Sequence, residues 1–69
     1  MPISGKQAIK ILQKHGFMVS RQRGSHIVMT SENANGKRIA VIPNHSELKK
    51  GTLRSIARQA NVDPKLLGL

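Results

Sequence analysis

The chain has 69 residues, and twelve Lys and Arg against three Asp and Glu leave a formal net charge of +9. Cysteine, tryptophan and tyrosine are absent, which excludes a disulfide framework and a thiolate metal site and argues against an aromatic membrane anchor. The expectation is one small domain, residues 1–69, with an aliphatic core and a polyanionic partner, nucleic acid foremost.

The N-terminus, Met1-Pro2-Ile3-Ser4-Gly5-Lys6, lacks the apolar stretch of a signal peptide, and no run of about 18 apolar residues could span a bilayer. A cytoplasmic location without membrane contact is therefore expected. Ser4 and Gln7 fit a capping box. Ala8, Ile11, Leu12 and His15 then recur on one helical face, and Gly16 offers a left-handed stop. A helix over about residues 4–15 follows, with Lys6, Lys10 and Lys14 as a solvated basic stripe.

Three strand-like runs come next: Phe17 to Arg21 with Phe17 and Val19 on one face, His26 to Thr30, and Lys37 to Ile42 closed by Pro43. Asn35-Gly36 between the last two signals a hairpin, so the strands read as an antiparallel meander. Alternation places Ile27, Met29, Ile39 and Val41 against the helices and His26, Thr30 and Arg38 on the open face, with Val28 and Ile42 partly exposed. Met18 and Met29 read as core filler.

After a loop from Pro43 to Lys50, Leu53, Ile56, Ala57 and Ala60 mark a second helix ended by Asn61. Asp63-Pro64 opens one last turn, Pro64 to Leu67. The fold class is thus α+β, an α-β-β-β-α chain with a three-stranded antiparallel sheet, two helices on one face and a short C-terminal helical turn.

For chemistry, the informative stretch is Arg21-Gln22-Arg23-Gly24-Ser25-His26, a basic turn delivering a histidine to a strand start. Three motifs in order carry a resemblance: Gly24-Ser25-His26, Ile42-Pro43-Asn44-His45, and Glu47-Leu48-Lys49-Lys50-Gly51-Thr52-Leu53-Arg54 running on to Ala60. From Ser4 to Leu67 the chain resembles the HicA family of bacterial toxin–antitoxin systems, small ribonucleases that cut messenger RNA. The resemblance implies a fold like that of double-stranded-RNA-binding domains, a catalytic histidine at His26, mRNA as substrate and a HicB-type antitoxin as protein partner. The hairpin from Ser31 to Gly36 looks longer than the tight turn of that family.

Glu32, Glu47 and Asp63 are too scattered in sequence to suggest the carboxylate cluster that holds Mg²⁺ or Mn²⁺ in nucleases. No metal, no other cofactor and no small-molecule ligand are therefore expected. RNA carries its own 2′-hydroxyl nucleophile, and an imidazole can move the proton near neutral pH. In this reading His26 is general base or acid, while Arg23 and the Gly24-Ser25 backbone grip the phosphate. Lys49, Lys50 and Arg54, at the start of the second helix, are the further phosphate contacts. His45 could supply a second proton transfer or anchor its loop, and His15 is a helix-end residue. The competing reading is a non-catalytic double-stranded-RNA-binding module of the same topology, which would need the phosphate grip but not His26.

Overall fold

The computed structural model describes residues 3–34 and 36–69. Helix α1 (Gly5–Lys14) begins at the expected capping box: the Ser4 hydroxyl accepts from the Gln7 N–H at 3.1 Å, and Gln7 Oε1 accepts from the Ser4 N–H at 2.8 Å. It ends where Gly16 turns left-handed (φ 91°) and the Phe17 N–H returns to the Leu12 carbonyl. Strands β1 (Met18–Arg23), β2 (His26–Asn33) and β3 (Gly36–Pro43) form an antiparallel sheet in the order β1-β2-β3. Helix α2 (Lys50–Ala60) closes on left-handed Asn61 (φ 56°). A 3₁₀ turn, Pro64–Leu67, follows with Asp63 capping the Lys65 N–H at 2.9 Å. The α-β-β-β-α order is the one the sequence predicts.

Both helices cover one face of the sheet. Ala8 and Leu12 of α1 and Leu53, Ile56 and Ala57 of α2 share a single buried cluster with Ile27, Met29, Ala40 and Ile42 of the sheet. Gln59, near the end of α2, meets β3: its Oε1 accepts from the Val41 N–H at 2.8 Å, and its carbonyl accepts from Arg38. Helix α2 therefore runs back along β3, with Lys50 at the Pro43 end.

Three expectations about faces are corrected. In β3 it is Ala40 and Ile42 that are buried, opposite Met29 and Ile27, while Ile39 and Val41 are exposed. The run from Ile39 to Ile42 is apolar at every position, so alternation alone could not phase it; the cross-strand register does. Arg38 follows the same phase, facing the helix side and donating to Gln59 rather than lying on the open face. Met18 is 72% exposed and is not core filler, whereas Met29 is. Phe17 is buried just ahead of β1, and Val19 stays exposed opposite Met29.

The β2–β3 hairpin is also tighter than expected. Pairing continues through Ser31↔Arg38, Glu32↔Lys37 and Asn33↔Gly36, so the segment from Ser31 is ladder, not loop. Asn35 of the Asn-Gly pair lies outside the described residues, as do Met1 and Pro2 of the N-terminal reading.

Candidate functional site

The β1–β2 connection is a two-residue loop, Gly24-Ser25, between the paired residues Arg23 and His26. Gly24 is left-handed (φ 59°), as glycine is at the first position of such hairpin turns. A Cβ at Gly24 would meet nothing within 4 Å, so this backbone lies open to a ligand. The Gln22 side chain closes the turn from within, its Nε2 donating to the Gly24 carbonyl at 3.0 Å. From outside, the Ser25 carbonyl accepts from the Asn44 N–H at 2.6 Å.

A β-bulge decides which side chains meet His26. Val19 pairs with Met29 and Arg21 with Val28, so Ser20 is the extra residue, and its hydroxyl donates to the Val28 carbonyl at 3.3 Å. An inserted residue flips the alternation of everything after it. Arg21 and Arg23 are thereby placed on the helix-free face with Val28 and His26 instead of facing the helices. All of Arg21, Arg23 and His26 are exposed. Arg23 is expected beside His26 from its place in the turn; the bulge sets Arg21 on the same face, which no one-residue-at-a-time alternation could assign.

His26 pairs on its other side with Pro43, and this brings the loop after β3 alongside the turn. His45 is held there by its backbone: its carbonyl accepts from the Gly5 N–H at 2.8 Å, and its N–H donates to the Pro43 carbonyl at 2.9 Å. His45 lines a depression with Ser4, Lys6, Asn44 and Ser46, beside the start of α1. His15, the C-cap of α1, is exposed.

The two helix N-termini at this end differ. That of α1 is sealed by its capping box. That of α2 has Lys49 at the cap position, with no side-chain hydrogen bond to the first turn. Lys49, Lys50 and Arg54 are all exposed there, so positive side chains coincide with a helix start that has no side-chain cap from Lys49 and with the positive end of the helix dipole. The structure thus brings the turn, the Asn44–His45 loop and the start of α2 to one end of the molecule. His26 and the two arginines occupy the helix-free side of that end, and the lysines of α2 the other. Among the described residues no three His, Asp or Glu side chains gather as a metal site would require, and no helix is long and apolar enough to cross a membrane.

Gln22 and Asn44 escaped the sequence reading. Asn44 acts through its main-chain N–H and leaves no trace in side-chain chemistry. Gln22 had one usable signal, an amide two residues before a turn glycine.

Fold and site together define a small, strongly basic α+β domain with an open sheet face, a helix start without a side-chain cap and a histidine turn at the same end. The comparison with known families is more specific: the description "HicA toxin of bacterial toxin-antitoxin" matches residues 5–62, and the chain belongs to that family. It is therefore a toxin of a toxin–antitoxin pair, a family generally associated with ribonuclease activity, and an antitoxin partner follows from this membership. A search of curated proteins gives no match.

Proposed function

We propose that residues 1–69 act as one endoribonuclease domain that cuts messenger RNA in the cytoplasm, without metal or other cofactor, and is held in check by a HicB-type antitoxin. The observation that carries this reading is the placement of His26: exposed, at the first position of β2, opposite Arg23 and next to an open two-residue turn. An RNA phosphate seated on the Gly24-Ser25 backbone would have a guanidinium on one side and an imidazole on the other. His26 takes the proton of the 2′-hydroxyl or gives one to the leaving oxygen. Arg23 balances charge that builds on the phosphate oxygens, with Arg21 one pair further along the strand.

Lys49, Lys50 and Arg54 hold the flanking backbone. Their place at the uncapped start of α2 supports phosphate contact through both side chains and main-chain amides. His45 serves as an anchor rather than a second proton-transfer residue, a reading supported by its two backbone hydrogen bonds, with Gly5 and Pro43, and its depression beside α1.

The test is expression in bacteria of the chain and of His26→Ala, followed by mapping of mRNA ends. Growth arrest and cleavage that disappear in His26→Ala, with an unchanged circular-dichroism spectrum, are expected. Equal growth of both would favour the non-catalytic RNA-binding module. Replacing the scissile ribose by deoxyribose tests the nucleophile: unimpaired cutting would show that water, not the 2′-hydroxyl, attacks.

A further inference from the structure

Two hydrogen bonds fix the peptide groups on either side of Ser25. The Gly24 carbonyl accepts from Gln22 Nε2 at 3.0 Å, and the Ser25 carbonyl accepts from the Asn44 N–H at 2.6 Å. Only the first comes from a side chain, so only it can be removed by substitution without disturbing a second loop. Gln22 and Gly24 are both exposed, and the pairing of Arg23 with His26 already closes the hairpin. A bond to an exposed carbonyl adds little to stability, because water competes for it. What it controls is the direction of one peptide.

That direction follows from the turn and the register. Gly24 has a φ of 59°, while Asn61 alone among the described non-glycine residues has a positive φ. A left-handed first position followed by an ordinary Ser25 defines a type II′ turn. Gln22 pairs with Ile27, a core residue, so its side chain leaves the strand on the helix-covered side. The bond therefore draws the Gly24 carbonyl to that side. The Gly24–Ser25 peptide is trans, and a planar trans peptide points its N–H opposite to its carbonyl. The Ser25 N–H is thus turned to the helix-free side, where Arg23 and His26 emerge. Among the described residues no hydrogen bond engages that N–H.

We propose that Gln22 is a positioning residue for RNA cleavage: by holding the Gly24 carbonyl, it aims the Ser25 N–H at a non-bridging oxygen of the phosphate on which His26 acts. This rests on the ribonuclease reading given above. A donor fixed before the substrate arrives needs no reorganisation as charge grows on the phosphate oxygens, which is when it contributes most. Arg23 supplies charge from a flexible side chain; the Ser25 N–H supplies direction. Without the Gln22 bond the peptide turns more freely, since glycine tolerates a wide range of backbone angles. The donor is then aimed at the phosphate only part of the time.

The test is single-turnover cleavage of a defined RNA by the full chain, with either non-bridging oxygen of the scissile phosphate replaced by sulfur. Sulfur is a weak hydrogen-bond acceptor, so the parent should cut one of the two thio-substituted RNAs at least about tenfold more slowly. Gln22→Ala should cut the all-oxygen RNA at least about tenfold more slowly at saturation, short of the roughly 10²–10³-fold lost when such a donor is removed outright. Its sulfur penalty should fall to at most about a third of the parent's, the non-additivity expected of coupled groups. Gln22→Met keeps the length of the side chain without its amide and should behave alike, so the outcome does not hang on one variant folding. An unchanged sulfur penalty in the variants overturns the proposal, as does a parent indifferent to sulfur at both positions. Lower stability with the saturating rate intact also overturns it, since a purely structural tie would give that result. In each of these cases the parent still cuts RNA and the ribonuclease reading stands. A parent chain that cuts no RNA refutes that reading, and this proposal with it.

Discussion

The backbone N–H of Asn44 donates to the carbonyl oxygen of Ser25 across 2.6 Å, tying the turn that carries His26 to the loop that carries His45. Neighbouring backbones do not make neighbouring roles. His45 is held by main-chain bonds to Gly5 and Pro43, and it lines the depression beside Ser4 and Lys6. His45→Ala should therefore lower RNA cleavage by less than about tenfold, whereas His26→Ala should remove the roughly 10²–10⁴-fold that a positioned acid or base contributes. Single-turnover cleavage of a defined RNA separates the two. A His45→Ala loss as deep as that of His26→Ala would make His45 the second proton-transfer group.

Gly5→Ala should destabilise the protein, against the usual gain when alanine replaces glycine in a helix. A Cβ at Gly5 would fall on the Pro43 carbonyl oxygen and come within 2.9 Å of the Asn44 Cα. Both obstacles are backbone, so a side-chain adjustment cannot relieve the clash. The start of α1 would have to move away from the loop, breaking the Gly5–His45 bond. A loss of about 2–3 kcal/mol in urea unfolding is expected, in the range of overpacking in a close-packed interior. Gly51→Ala is the control, since nothing lies within 4 Å of a Cβ there; it should be neutral or slightly stabilising.

Gln59→Ala should cost about 1 kcal/mol, the scale of a hydrogen bond lost at a partly covered site. Gln59 is half-buried and makes three hydrogen bonds: with the Val41 N–H of β3, with the Ser55 hydroxyl of α2 at 3.0 Å, and with Arg38 of β3 through its own carbonyl. The last of these survives the substitution because it is a main-chain contact. Ser55→Ala removes only the second and should cost less. Equal stability of Gln59→Ala and the parent would show that water replaces the amide at Val41 without loss.

Helix boundaries were legible because their signals are local: a capping box at Ser4 and Gln7, a left-handed residue at Asn61, Asp63 before Pro64. The order of strands was legible for the same reason, as Asn35-Gly36 and Gly24 mark reversals. The faces of β3 were not. Ile39, Ala40, Val41 and Ile42 are all apolar, so burial is chosen by which residue faces Ile27 and Met29 across the ladder. The arginine pair was hidden too. Counting from Phe17 without the extra residue Ser20 sends Arg21 to the helix side, and only the observed bulge places it with His26. Of the site, the histidine turn and the α2 lysines could be read from residue type, while the turn's two braces, Gln22 and Asn44, depend on tertiary closure.

Lys49→Ala/Lys50→Ala should weaken RNA binding most at low salt and flatten its salt dependence. Each phosphate neutralised on a single strand releases counterions that contribute about 0.7 to the slope of log K against log salt. Loss of two contacts should thus reduce the slope by roughly 1.4. The fold should tolerate the change, because both side chains are exposed and Lys49 makes no capping bond to α2. Cleavage at saturating RNA should hold near the parent value, since His26 and both arginines sit on the other side of the sheet. Filter binding of a catalytically silent His26→Ala background, at several salt concentrations, gives the slope directly. An unchanged slope would remove the start of α2 from the RNA path and leave Arg21, Arg23 and the Gly24-Ser25 backbone as the phosphate contacts.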